Sequence, residues 1–296
     1  MGLKLSRKIR SLKDVFLFSI KKKSLFLHNI TIAPFVLLKF LYKKSKKKTF
    51  KKYSNNLDNI NNYEFKKTSQ NNEDGIIEHI FDKIHLKKIN FIEIGFDYYE
   101  NNSLNFLSKT NKGLFIDGSS EKVFKLKCIL NLIYPFKKID VVSECIDKEN
   151  LNSVIEKHFE KKEQEVDFLS IDVDGNDYYL FETLKIKPKI VCIEYNFWFG
   201  PNAKCSIPYN KNFSWDGSIY SGASLSSLCS LAKKKGYHLI ALESNCVNAF
   251  FVRSDLKNNF EIIDNLQSFR TPIKYSNDEI LSGKNYLLDK KLTNFN

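Results

Sequence analysis

No two cysteines lie close together in this chain. Cys128, Cys145, Cys192, Cys205, Cys229 and Cys246 are scattered singly, so neither a C-x-x-C metal site nor a disulfide framework is expected, and a reducing compartment is the simpler setting. The phosphate-cradling G-x-x-x-x-G-K-[ST] loop is missing, as are the G-x-S-x-G nucleophile elbow and the G-x-G-x-x-G dinucleotide turn. Those absences leave P-loop phosphoryl transfer, α/β-hydrolase chemistry and ordinary dinucleotide binding without their usual machinery. An uninterrupted apolar run of about 20 residues, the length of a membrane span, is also lacking. The five histidines fall on predicted helices or a strand, away from loop edges, and read as surface or core residues.

What is present is ample core material: 296 residues, 43% hydrophobic and 14% aromatic, describe a globular chain. The net charge of +13 is unevenly placed. Residues 1–68 hold 18 basic and 3 acidic side chains, and the remaining 228 hold 29 and 31. The positive charge therefore belongs to an N-terminal arm that invites an anionic partner, while the body is near neutral. Two apolar stretches, 15–20 and 24–42, are flanked by Lys21, Lys22, Lys23 and a lysine cluster over 43–52, and His28, Asn29, Pro34 and Lys39 interrupt the longer one. An interfacial helix pair on an anionic membrane surface is one reading of residues 1–52, and helices packed on the main domain is the other. No secretory signal is expected, and the location expected is the cytoplasm, with peripheral contact at the inner membrane face.

Residues 53–67 are polar and Asn-rich and read as a linker, so the folded body is placed at 68–256, with an unpatterned tail at 257–296. Within the body, Ile76, Ile77, Ile80, Phe81 and Ile84 recur at helical spacing. Short apolar runs at 88–95, 113–117, 138–145, 166–172 and 189–195 read as strands, with helices between them. Ser119 is placed as the N-cap of one helix, and Asp147 as the cap of the helix carrying Leu151, Val154, Ile155 and Phe159. Such repetition implies a parallel sheet covered by helices on both faces. A long irregular stretch, 196–221, leads to a helix at 223–235 and two closely joined strands, 237–242 and 248–253, which must pair antiparallel.

Chemistry concentrates where these strands end. Glu93-Ile-Gly95 closes the first strand, where glycine permits close backbone approach and the glutamate can accept hydrogen bonds from a hydroxyl or ammonium group. A plain turn glycine with a surface glutamate is the alternative. Asp117 ends the second strand about 20 residues on, the position that bonds ribose hydroxyls in nucleotide-binding α/β folds, with Gly118 and Ser119 following it. The same three residues also suit a helix-capping turn. Asp172, Asp174 and Asp177 end the fourth strand as D-x-D-G-x-D, a spacing that is not an EF-hand loop. They are candidates for facing a cofactor, orienting an acceptor hydroxyl, acting as general base or holding a divalent metal, or simply for an Asp-Gly turn capping the next helix. Glu194 and Asn196 close the fifth strand, and the aromatic stretch after them carries Tyr209 and Trp215 as candidate substrate contacts of a binding loop, or as side chains that pack the loop down.

Taken in order, Ser69-Gln70, Glu73-Asp-Gly-Ile-Ile77, Phe91-Ile-Glu-Ile-Gly95, Gly113-Leu-Phe-Ile-Asp-Gly-Ser119, Leu169-Ser-Ile-Asp-Val-Asp-Gly-Asn-Asp-Tyr178, Ile193-Glu-Tyr-Asn196 and Val247-Asn-Ala-Phe-Phe-Val-Arg253 resemble FkbM-type methyltransferases and their uncharacterised relatives over about 68–256. The resemblance implies a Rossmann-like class I methyltransferase fold, S-adenosylmethionine as cofactor, and a hydroxyl acceptor on a sugar or secondary metabolite. It assigns Glu93 and Gly95 to the methionine-binding turn, Asp117 to the ribose and Asp172 to the end of strand four. Phe96-Asp-Tyr-Tyr99 departs from the pattern, standing where many methyltransferases carry further small residues.

The function expected is O-methylation of a surface glycan, lipid-linked saccharide or related metabolite, with the arm holding the enzyme at a membrane. A non-catalytic binding or scaffold module is the alternative. An RNA methyltransferase using the basic arm is a third reading, weakened by the missing [D/N]-P-P-[Y/F] motif and the near-neutral body, so nucleic acid is not the expected partner.

Overall fold

The computed structural model describes Leu38, Lys48–Thr49, and residues 59–159, 165–272 and 274–295. Most of the basic arm, and with it the membrane-surface reading, lies outside the described residues. Among those described, no helix is long and apolar enough to cross a membrane.

Seven strands form one sheet: β1 Ile89–Ile94, β2 Thr110–Asp117, β3 Lys138–Ser143, β4 Phe168–Ile171, β5 Ile190–Glu194, β6 Tyr237–Leu242 and β7 Asn248–Arg253. Their spatial order is β3-β2-β1-β4-β5-β7-β6. The first five are mutually parallel, and β7 pairs antiparallel with both β5 and β6. A parallel sheet whose order reverses beside β1 and closes on an antiparallel hairpin is the Rossmann-like class I methyltransferase fold.

Alternation along each strand sorts the core into two faces. Phe91, Phe115, Phe168 and Phe250 point to one face, under α1 Glu73–Lys83 and α2 Ser120–Ile133. Ile92, Leu114, Leu169, Val191 and Phe251 point to the other, under α3 Leu151–His158, α4 Asp177–Thr183 and α5 Leu225–Lys235. The expected N-cap is in place, since Ser119 Oγ accepts from the Lys122 amide. Asp147 instead bonds the Glu149 and Asn150 amides, and Asn150 occupies the N-cap position of α3 without a side-chain capping bond.

Residues 59–67 are not a linker. Tyr63 stacks on His79 with ring centroids 3.6 Å apart, Asn61 donates to the Leu242 carbonyl, and Glu64 accepts from Ser244. The Asp74 carboxylate then gathers the amides of Lys67, Thr68 and Ser69 at 2.7 to 2.9 Å. Low apolar content concealed this packing, because the segment is held mainly by hydrogen bonds and one aromatic stack, with only Ile60 and Phe65 packing as apolar side chains.

The tail is likewise structured, through α6 Asn265–Ser268 and α7 Asn277–Leu288. A capping box between Ser276 and Glu279 starts α7, and Gly283 lets the helix lie against Trp198, whose ring atoms would be 2.4 Å from an added Cβ. The short strand Thr293–Asn294 pairs with Cys205–Ser206, which ties the tail to the 196–221 stretch. We expect Ser276→Ala to weaken α7 by about 1 kcal/mol. Hydrogen exchange should quicken across Asn277–Leu288 while the sheet stays protected; equal exchange in both proteins would mean that packing alone holds the helix.

Candidate active site

A cavity of about 770 Å³ opens at the carboxyl ends of β1, β4 and β5, beside the point where the strand order reverses. Open α/β sheets place their ligands at this position. The period of two that buries Phe91, Phe168 and Ile190 brings Glu93, Asp172 and Glu194 out on the same face, at or just past the strand ends. Register supplies a fourth side chain, because Asn248 of β7 lies directly opposite Glu194.

Gly95 turns the chain out of β1 with φ +77°, and a Cβ there would lie 1.6 Å from the carbonyl oxygen of Asp172. The glycine is thus required by the close approach of the β1 and β4 ends, whether or not a ligand also comes near. Glu93, 2% exposed, accepts from the Asn102 amide at 2.8 Å through Oε1, while Oε2 has no protein partner. Burial pushes its carboxyl up to about 7, opposed by the neighbouring Ser103 hydroxyl and the Asn102 amide, although the Ser103 hydroxyl makes no well-formed hydrogen bond. Asn102 also donates to Ser170 Oγ, so the loop after β1 is pinned across β4.

Asp172, Asp174 and Glu194 place carboxylate oxygens within 4.8 Å of one another. Burial first, and then repulsion from Asp177 and Asp174, drives Asp172 up to about 8, while burial and repulsion from Asp172, Asp177 and Asp174 drive Glu194 well above the carboxylate range. Asp174 holds φ +60°, a left-handed conformation that short polar side chains accept more readily than others. Asp177 is fully buried behind this turn: Oδ1 accepts from the Val173 amide at 2.8 Å and Oδ2 has no partner. Lys122 and Lys274 are the lysines of the cavity lining, and Trp198, Trp215 and Tyr275 form aromatic wall.

Of the residues singled out from sequence, Glu93, Gly95, Asp172, Asp174, Glu194, Asn196 and Trp215 line this one cavity. Asp117, Gly118, Ser119 and Asp177 lie outside its lining. The Asp117 carboxylate accepts from the Phe96 and Ser119 amides and pairs with Lys122 at 3.3 Å, so it organises the turns after β1 and β2. Gly118 makes room for Cys145, whose sulfur would be 2.8 Å from an added Cβ. Asn196 spends its amide inside the protein, accepting from Trp198 and donating to the Ile219 and Ser221 carbonyls, and so clamps the loop. Tyr209 is a correction: it packs on Tyr179 and its hydroxyl bonds Glu149 and the Lys148 amide, away from the cavity. Its aromatic ring serves loop packing, the alternative that the sequence left open.

Sequence reasoning missed Gln70, Asn101, Asn102, Asn248, Lys274 and Tyr275 as lining residues. Asn101-Asn102, six residues after the glycine turn, was the nearest thing to a signal. Lys274 and Tyr275 had none, since they belong to a tail without a pattern.

No protein-family model matches the chain, and no curated protein matches it. Solved structures similar to it include magnesium protoporphyrin IX methyltransferase from Synechocystis PCC 6803 with bound SAM, at 8% identity and TM-score 0.41, covering 62% of this chain and 78% of that one. A S-adenosylmethionine-dependent methyltransferase from Clostridium acetobutylicum ATCC 824 is similar at 14% identity and TM-score 0.40, covering 61% and 90%. The N-terminal domain of EvdMO1 with SAH bound is similar at 10% identity and TM-score 0.42, covering 62% and 80%. The fold assignment rests on the chain's own sheet order and strand directions.

Proposed function

We propose that this chain transfers a methyl group from S-adenosylmethionine to a hydroxyl oxygen of a saccharide-like acceptor. The observation that carries the reading is Glu93 Oε2, a buried acceptor without a partner that borders the cavity beside the Gly95 turn. Buried polar atoms are almost always satisfied, so an orphaned carboxylate oxygen at a ligand edge calls for a donor or a cation. The ammonium of the methionine moiety has that chemistry, and the acidic lining suits the adjacent sulfonium. Glu93 and the Gly95 turn would hold the cofactor; when bound, it supplies an electrophilic methyl group.

The remaining lining sets the acceptor. Trp198, Trp215 and Tyr275 offer flat apolar faces of the kind on which sugar rings rest. In the ionised form, either Asp172 or Glu194 can take up a hydroxyl proton as the oxygen is alkylated; because burial raises the proton affinity of both, that form gains population toward alkaline pH. Catalysis on this reading is chiefly positioning.

Calorimetry at neutral pH with S-adenosylmethionine and S-adenosylhomocysteine tests it. Both are expected to bind at one site, and Glu93→Gln is expected to weaken binding about 10-fold, a loss of about 1.4 kcal/mol. Binding of neither molecule overturns the proposal. A non-catalytic binding module is the second reading, favoured by one observation: the Asp117 carboxylate is already engaged by two amides and a lysine. The open cavity of about 770 Å³ counts against it, since a degenerate site should be occluded.

A further inference from the structure

We infer that Asp172, Asp174 and Glu194 form a binding site for an oxygen-seeking divalent cation such as Mg²⁺, Mn²⁺ or Ca²⁺. Three carboxylate oxygens, one from each residue, converge within 4.8 Å. Two oxygens on opposite sides of one such ion lie about 4 to 5 Å apart, so the three fit around a single centre. An all-oxygen donor set selects hard cations over zinc or copper.

The acidic cluster is not the whole case, because a buried acceptor without a partner, on Asn248, adjoins it. Asp177, fully buried and tied through Oδ1 to the Val173 amide, holds the turn that presents Asp172 and Asp174, and its own Oδ2 lies toward Gly222. On the other side, Glu194 Oε2 has no partner. Asn248, 2% exposed and directly across from Glu194, borders the same cavity with Oδ1 unpaired. Protein donors therefore leave acceptors unsatisfied on the Glu194 and Asn248 side of this pocket. A proton shared between Asp172 and Glu194 would neutralise one charge, and Lys122, the lysine acting on Asp174, is also committed to Asp117. A dication compensates more of the cluster and satisfies the acceptors it can reach.

Because Asp172, Asp174 and Glu194 all border the cavity, the ion would keep positions open toward it. Water or hydroxyl oxygens of an acceptor can fill them. That last role rests on the methyl-transfer reading; cation binding itself does not.

The test uses the full chain, dialysed against chelator and titrated with Mg²⁺, Ca²⁺ and Mn²⁺ by calorimetry, with Mn²⁺ also followed by its paramagnetic resonance spectrum. One saturable site per chain is expected. Asp174→Asn is the informative variant, since asparagine tolerates the left-handed backbone and the side chain is exposed. It and Glu194→Gln should each weaken binding at least about 10-fold, whereas Glu261→Gln, on the surface elsewhere, should not. Melting curves show that each variant is folded. Absence of a saturable site, or wild-type affinity in both variants, overturns the inference. Titrating S-adenosylhomocysteine into the same samples separates the two proposals: cation binding without cofactor binding overturns methyl transfer alone, and the converse overturns the cation site alone.

Discussion

Gly95→Ala is expected to cost about 4 kcal/mol of stability or more, enough to leave the chain largely unfolded at moderate urea concentrations. Two costs combine. The residue holds φ +77°, and an added Cβ would sit 1.6 Å from the Asp172 carbonyl oxygen and 2.6 Å from its carbon. Both neighbours are backbone, so relief requires the ends of β1 and β4 to part. Their separation would break the hydrogen bond from the Asp172 amide to the Ile94 carbonyl. Urea unfolding of the two proteins measures the loss, and a difference below about 1 kcal/mol would mean that the strand ends are not packed as described.

The second large effect is on pH. Between about pH 5 and pH 8.5 the melting temperature should fall by roughly 5 °C or more. Burial pushes Glu93 up to about 7 and Glu243 up to about 8, and raises Glu73 as well. These carboxyls are neutral in the folded chain at pH values where the unfolded chain has already ionised them. The folded state then binds more protons, so stability declines as pH rises from the unfolded carboxylate range toward about 8, and flattens beyond it. Glu93→Gln keeps an acceptor for the Asn102 amide and removes one titrating group, so its decline should be shallower. A melting temperature that is flat or rises across the interval would contradict the buried neutral acids. A cationic ligand bound in the cavity should stabilise most at the alkaline end, where the acids it meets are ionised.

The architecture was largely legible because it is written in local periodicity. Alternation in Phe91-Ile-Glu-Ile94 and Phe168-Leu-Ser-Ile171, and the helical spacing of Ile76, Ile77, Ile80 and Phe81, each commit a segment to one element. The acidic side chains just past the apolar runs then mark the functional edge without tertiary information. Segments held by hydrogen bonds were opaque to the same reasoning. Residues 59–67 have no apolar period, yet Asn61, Glu64 and the amides gathered by Asp74 anchor them. The tail was illegible for a related reason: α7 is amphipathic only weakly and buries Ile280 and Leu287 against partners far away in the chain.

By itself, then, the sequence determined which segments are strands and helices, that five strands run parallel before an antiparallel close, and that Glu93, Asp172 and Glu194 share one edge. Covalent neighbours dictate these features, through backbone period and turn chemistry. Tertiary structure alone decided that Asn248 faces Glu194, that Lys274 and Tyr275 wall the cavity, that Asp117 serves the turns, and that Tyr209 stands apart from the cavity. Each of those depends on strand register or on contact between segments distant in the chain. Local pattern says which face a side chain takes, but the partner it meets there depends on how the whole chain packs.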